Sequence, residues 1–258
     1  MKPKKTFILS LLFTTLALLT SCEKEKKDPP SESIRLVSKT VQYKSSSGSV
    51  ESDQTIEYMY DKQNRVSKMT TTDEDGNPVS AVITYPSENL MVSGNYTYTL
   101  NGNGAITSQS EGEKLMIKCT YDDRGYLQKM EIFSILFTIP VKTSHNYTWE
   151  NGNVKFIEME ILLQSEPPSS IFHTTAFEYS AIENKPISVD FGSFLSGVPR
   201  GWYGKVAKNL PSKIIQKNED GSESVTRFRY EIDKDSYPVK IFAQEDEYDE
   251  ELKTLIEY

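Results

Sequence analysis

One phrase is written several times in this chain. Residues 58–69, "YMYDKQNRVSKM", return in altered form as residues 119–130, "CTYDDRGYLQKM". Tyr60-Asp61 aligns with Tyr121-Asp122, Val66 with Leu127, Lys68 with Lys129, and Met69 with Met130. A third version is "RYEIDKDSYPVKI" from Arg229, with Ile232-Asp233, Lys240 and Ile241 in register. Looser versions start at Tyr98 ("YTLNGNGAITS"), Tyr147 ("YTWENGNVKFI") and Phe177 ("FEYSAIENKPI"). Their irregular spacing does not fit a strict solenoid.

The unit reads as strand, turn, strand. Ile56, Tyr58 and Tyr60 alternate, so they share one face of an extended chain. The aspartate that follows can accept from backbone N–H groups two residues on and start a turn. Asn64, Gly104 and Gly125 occupy a late turn position, where glycine and asparagine tolerate a left-handed backbone. Ser236 stands there in the third copy, which predicts a different turn. Catalysis is a poor explanation for the Tyr-Asp pairs, because Asn101, Glu150 and Ser180 replace the aspartate in other copies. Turn formation explains all of them.

Between the copies lie further turn signals, "DEDGNP" from Asp73 and "NEDG" from Asn218, and alternating runs such as Ala81/Ile83/Tyr85 and Phe228/Tyr230/Ile232. One apolar and one polar face per strand is the pattern of an antiparallel sheet wetted on one side. Ile157, Met159 and Ile161 with Val154 and Phe156 make one strand apolar on both faces, so something should cover it. The single short helix candidate is 191–197. The expected fold is all-β: a curved antiparallel β-meander of ten to twelve strands, open sheet or barrel-like, with little helix.

The first residues give an address. Lys2, Lys4 and Lys5 precede an apolar run of 13 residues, 7–19, and then Leu19-Thr20-Ser21-Cys22. The run is shorter than the roughly 20 residues a spanning helix needs and has the layout of a secretory signal peptide over 1–21. Leu-Thr-Ser-Cys matches a bacterial lipobox. Cys22 is therefore the expected lipidation site, carrying diacylglycerol on sulfur and an acyl chain such as palmitate on its amino group. Several acyl chains hold a protein stably on a bilayer. Residues 22–33, "CEKEKKDPPSES", then form a charged, Pro/Ser-rich tether that cannot bury a core, and 34–258 form one β domain. The expected placement is the outer membrane, on either face. Loss of the three leader lysines moves the formal net charge from −8 to −11, which disfavours nucleic acid as a partner.

From Tyr58 onward the chain resembles a Bacteroidetes lipoprotein family, known as a domain of unknown function with a porin-like fold. Tyr60-Asp61, Tyr121-Asp122, "GKVAKNLPSKI" from Gly204 and "YEIDKDSYPVKI" from Tyr230 carry the resemblance. It implies a curved antiparallel sheet, open or closed, and brings no activity or site residues. Lys68, Lys118, Glu131, Glu158 and Arg229 interrupt the strands and argue for a tethered, water-facing domain over a lipid-spanning barrel.

Chemistry-bearing motifs are few. His145 and His173 are the only histidines, and neither has a cysteine or carboxylate at metal-ligand spacing. Cys119 shares a period-2 face with Leu115, Ile117 and Tyr121 and reads as a buried small hydrophobe. No cofactor, catalytic residue or structural metal is expected. Glu245, Asp246, Glu247, Asp249, Glu250 and Glu251 crowd one short run; it reads as a solvated loop, with divalent-cation binding as the weaker reading. The aromatic, Gly-rich stretch 191–206 holds Phe194, Trp202 and Tyr203, either a candidate ligand cleft or a plug for the end of the sheet. The functional expectation is a non-enzymatic binding or scaffold domain for a glycan, a protein or an apolar ligand. The alternatives are a hydrolase with a site assembled across strands, and a lipid carrier with a concave apolar cavity.

Overall fold

The computed structural model describes residues 34–46, 49–72, 77–136, 138–164, 168–191, 198–246 and 251–258. The expected leader, Cys22 and the tether lie outside them. The strands are β1 (Lys39–Ser46), β2 (Ser49–Tyr60), β3 (Val66–Thr72), β4 (Pro78–Ser87), β5 (Leu90–Ser93) and β6 (Tyr96–Leu100). They continue with β7 (Ile106–Glu111), β8 (Lys114–Tyr121), β9 (Leu127–Leu136), β10 (Ile139–Glu150), β11 (Asn153–Leu163) and β12 (Ser169–Glu183). Then come β13 (Val189–Asp190), β14 (Val198–Pro199), β15 (Asn209–Asn218), β16 (Glu223–Ile232), β17 (Pro238–Glu245) and β18 (Glu251–Glu257). The fold is all-β and antiparallel, and among the described residues there is no helix.

Sixteen strands close into one barrel. Each pairs with the next along the chain, except that β12 pairs with β15, and β18 returns to β1 with Thr40 opposite Ile256. The expectation of ten to twelve strands, open or barrel-like, is corrected to sixteen in a closed barrel. The shortfall has a physical source. β5 holds only 4 residues, too few for alternation to stand out, and the β1–β2, β9–β10 and β11–β12 connections carry no copy of the repeated phrase. Gly94 (φ 57°) turns the chain between β5 and β6 and Gly112 (φ 59°) between β7 and β8, in loops too short to announce themselves. The helix candidate 191–197 keeps only Phe191 among the described residues, just after β13.

The repeated phrase builds one end of the barrel. Asp61 Oδ1 accepts from the N–H groups of Gln63 and Arg65, both at 2.9 Å. Asp122 Oδ1 does the same for Arg124 and Tyr126, Asn101 Oδ1 for Asn103 and Ala105, and Asp233 Oδ1 for Asp235 and Tyr237. In each, the residue two before the return strand is left-handed: Asn64 (φ 59°), Gly104 (φ 79°), Gly125 (φ 87°) and Ser236 (φ 66°). The third copy therefore turns like the others, against expectation, because the aspartate's two accepted bonds hold the loop and force serine into the glycine conformation. The Phe177 copy is also corrected. It runs straight on within β12 as a strand without a turn, and Ser180 Oγ donates to Leu210 O instead (2.9 Å).

The same end is stopped by the excursion 184–208, which contains the β13–β14 ribbon. Lys205 N donates to Gly125 O, Lys208 N to Gly152 O, and Ile106 N to Trp202 O, tying the excursion to three hairpin turns (2.7–2.9 Å). The N-terminal strap joins it: Arg35 N donates to Pro186 O and Ser188 N to Arg35 O. Ile187, Val189 and Phe191 thereby pack with Val37, Tyr58, Val66, Ile83 and Met91 in the main core. A sixteen-stranded barrel is too wide for its own side chains to fill. The excursion is the filler for this closed end.

The outward face is charged. Lys129 and Lys142 reach Glu131 (3.0 and 2.7 Å), Lys213 reaches Glu178 (2.9 Å) and Lys240 reaches Glu231 (2.8 Å). These residues alternate along their strands with inward Met130, Phe177 and Ile241, which are buried.

Candidate functional site

Toward the end opposite the plug, some inward apolar side chains stay accessible. Inward positions there follow from register: Ile117, Ile132, Thr143, Ile161 and Ile171 lie side by side across β8 to β12. Ile132 also packs on the buried Cys119, Leu127 and Met130 cluster, which fixes this row as inward. Yet Ile171 remains 39% exposed, and Val79 on β4 is 51% exposed. Gln54, Ile56, Met69, Thr71, Val79 and Ala81 line a recess of about 270 Å³ on the β2–β4 wall. Apolar residues held inside a barrel and left accessible form a concave surface suited to an apolar guest.

The boundary between the filled and open halves is a polar row. Met159 stands in register between His145 and His173. His173 Nδ1 shares a hydrogen bond with Asn218 Oδ1 at 2.9 Å. His145 is buried, and burial alone lowers its pKa and favours the neutral ring. Two imidazoles separated by a thioether do not make a metal centre, and among the described residues no group of three His, Cys, Asp or Glu comes close enough to hold one.

Trp202 and Tyr203 sit in the plug. Trp202 packs near Tyr98, with ring centroids 6.3 Å apart. Tyr203 joins the cluster of Cys119, Leu127 and Met130, and burial pushes its phenol up to about 12. The void beside it, bounded by Leu127, Tyr147, Trp149 and Val154, is about 30 Å³, room for one water. Phe194 lies outside the described residues. The structure does not bring Trp202 and Tyr203 to the open recess.

Of the acidic run, Glu247, Asp249 and Glu250 lie outside the described residues. Asp246 Oδ1 accepts from Val225 N (2.8 Å), while Glu245 and Glu251 both reach Lys253 (3.5 and 3.1 Å). Those three carboxylates serve a hairpin end. Burial raises the Cys119 thiol to about 12, partly offset by its hydrogen bond with Tyr121, so it is not a nucleophile near neutral pH.

The recess wall was missed from sequence. Its one signal was the strand 154–161, apolar on both faces; the partner rows on β8, β9 and β12 become neighbours only through pairing.

No protein-family model matches the chain, and no curated protein matches it. Solved structures do. A porin-like protein from Bacteroides vulgatus superimposes with a TM-score of 0.58 at 15% identity, over 87% of this chain and 98% of that one. A porin-like protein from Bacteroides uniformis gives 0.50 at 16% identity, over 86% and 96%. At such identities the likeness is one of fold.

Proposed function

We propose that this protein is a non-enzymatic, outer-membrane-associated barrel, lipid-anchored at Cys22, that holds an apolar chain in the open half of its interior. The observation that carries the reading is the exposed apolar inner wall, Val79 and Ile171. Leaving such residues accessible costs hydrophobic free energy, about 1.5–3 kcal/mol per large side chain relative to burial. A guest that covers them recovers it. The porin-like fold of the solved structures supports envelope association, and Leu19-Thr20-Ser21-Cys22 supports the anchor. The outward ion pairs favour an exterior in water, since a lysine or arginine on a lipid-facing strand costs about 2–4 kcal/mol at the midplane. Glycan and protein ligands suit this wall less well, because it offers aliphatic surface rather than a polar groove.

The test uses the mature chain with Cys22→Ser, titrated with N-phenyl-1-naphthylamine. A saturable emission increase, displaced by a long-chain fatty acid, is expected. The double variant Val79→Arg/Ile171→Arg should lower the amplitude at least fivefold with an unchanged unfolding midpoint. A wild-type chain without saturable enhancement would sink the reading. For the anchor, metabolic labelling with a radioactive fatty acid should mark the wild type and spare Cys22→Ser.

A further inference from the structure

The two ends of the barrel differ in charge. Antiparallel order puts successive connections at alternate ends. The plugged end takes the strap 34–38, the connections 61–65, 88–89, 101–105, 122–126 and 151–152, the excursion 184–208 and the turn 233–237. Together these carry nine Lys/Arg against seven Asp/Glu. Lys62, Arg65, Arg124 and Lys234 are exposed among them. The opposite end takes the connections 47–48, 73–77, 94–95, 112–113, 137–138, 164–168, 219–222 and 246–250. In sequence these hold eleven Asp/Glu and no Lys or Arg. Of the described ones, Glu113, Glu219 and Asp220 are exposed. The β2–β4 recess lies toward this acidic end, since Thr71 and Val79 flank the 73–77 connection.

The chain enters the domain at the plugged end and is fastened there. Arg35 N donates to Pro186 O (2.9 Å), Ser188 N donates to Arg35 O (3.0 Å), and the Arg35 guanidinium pairs with Asp233. Whatever precedes Ile34 therefore leaves from the plug. Residues 22–33 span at most about 40 Å, at roughly 3.3–3.6 Å per residue. The 12 residues of β10, tilted as barrel strands are, make a wall about 30 Å high. To bring the acidic end to a bilayer, most of that reach would have to run alongside the wall.

We propose that the plugged end is the surface this barrel sets against an anionic bilayer, with the acidic end and the recess turned to water. The inference rests on the Cys22 anchor given under Proposed function. The field of an anionic surface fades within about 10 Å, a fraction of the barrel height, so it acts on one end at a time. The plugged end, with its slight excess of cations, is accepted there, and an end with only acids is repelled. Reach and charge select the same face. A guest for the recess then arrives from the side away from the bilayer.

In the experiment the mature chain is coupled through Cys22 to a maleimide lipid in phosphatidylethanolamine/phosphatidylglycerol vesicles that carry dansyl headgroups. Cys119 is buried and does not compete. Chemical attachment makes the result independent of acylation in the cell, so failure of the anchor and failure of the orientation are distinguishable. The chain's two tryptophans, Trp149 beside the β10–β11 turn and Trp202 in the plug, are native donors at the plugged end. Gln63→Trp adds a third donor at that end, and Asn95→Trp adds one at the opposite end; both positions are exposed. Mean transfer per tryptophan should hold or rise in Gln63→Trp and fall by about a third in Asn95→Trp. In phosphatidylcholine vesicles the difference between the two variants should shrink at least twofold. Equal transfer in the two variants, or greater transfer in Asn95→Trp, overturns the proposal. A difference undiminished without anionic lipid would take away the role of charge and equally overturn it.

Discussion

At the scale of single residues, the repeated Tyr-Asp pair divides its labour. The aspartate closes its own turn, and the aromatic ring before it stitches that hairpin to a neighbour. Tyr60 Oη donates to Val37 O, Tyr121 Oη to Ile106 O, Trp149 Nε1 to Leu127 O, Tyr230 Oη to Pro211 O and Tyr258 Oη to Pro238 O (2.6–2.8 Å). The accepting carbonyls lie at or near strand starts, where Ile106, Leu127 and Pro238 follow tight turns with a register shift. A carbonyl freed from the ladder and buried needs a donor, and these ring O–H and N–H groups supply one. Tyr121→Phe should therefore cost about 1–3 kcal/mol, read as a lower urea midpoint with an unchanged slope. Ser236 presents the opposite case. Serine at φ 66° carries the strain of a left-handed L-residue, about 1–2 kcal/mol, against about 0.5–1 kcal/mol of extra chain entropy lost by glycine. Ser236→Gly should stabilise by roughly 0.5–1 kcal/mol, a rise of about 1–4 °C in Tm for a domain of this size. The sequence made the aspartate's role plain because Asx turns are local. It misdirected at Ser236, because propensity is outvoted when two accepted hydrogen bonds hold the loop.

At the scale of elements, the plug is the piece that sequence pattern could not place. The stretch from Gly201 to Lys208 has no period, and its partners are the turns at Gly125 and Gly152, far away in the chain. Aromatic content did single out Trp202 and Tyr203; which of two uses they served depended on contacts from strands not yet paired. The fit is tight at one point. A Cβ on Gly204 (φ 83°) would lie 2.6 Å from Gly125 O and 2.8 Å from Tyr121 Cε1, whereas one on Gly201 (φ 86°) would meet nothing within 4 Å. Both alanine variants bear the backbone cost, about 1–2 kcal/mol, but only Gly204→Ala adds overpacking of about 1–3 kcal/mol. Thermal melts should rank wild type, then Gly201→Ala, then Gly204→Ala. Loss of exchange protection at Lys205 N–H, whose acceptor is Gly125 O, should accompany the last alone. Equal melts for the two variants would mean that the plug does not press on the β8–β9 turn. Hairpins, in contrast, were legible where the repeated phrase supplied an Asx turn, as at β2–β3, β6–β7, β8–β9 and β16–β17. They blurred at β1–β2, β9–β10 and β11–β12, whose connections carry no such phrase.

At the scale of the whole molecule, closure joins the two ends of the domain and puts several ionised turns on one rim. Arg35 pairs with Asp233 and lies over the rings of Tyr237 (4.8 Å) and Tyr258 (4.0 Å), so the strap, the β16–β17 turn and the last residue meet beside the plug. Nothing in the alternation of single strands foretells that β18 returns to β1; closure follows from the number of strands and their accumulated twist and stagger. The shared rim has a consequence in acid. At Asp61, Asp122 and Asp233 burial is the largest influence and raises the pKa. Bonds from backbone N–H groups and from Arg65, Arg124 or Arg35 together outweigh it and leave all three lowered. A carboxyl whose folded pKa lies below the unfolded value, about 3.9, contributes its full stability above that pH. The contribution is lost as pH falls through the folded value. The closed end should accordingly loosen first in acid, below about pH 4, while the long β9–β12 wall holds. Hydrogen exchange between pH 6 and 3 tests this: protection at Ile106, Tyr126 and Lys205 should fall before that at Ile132 and Ile161. In Asp61→Asn/Asp122→Asn/Asp233→Asn, less stable at neutral pH, the acid limb of the melting curve should flatten, because asparagine keeps the turn bonds and has no proton to gain. An acid limb as steep as in the wild type would place the sensitivity elsewhere in the barrel.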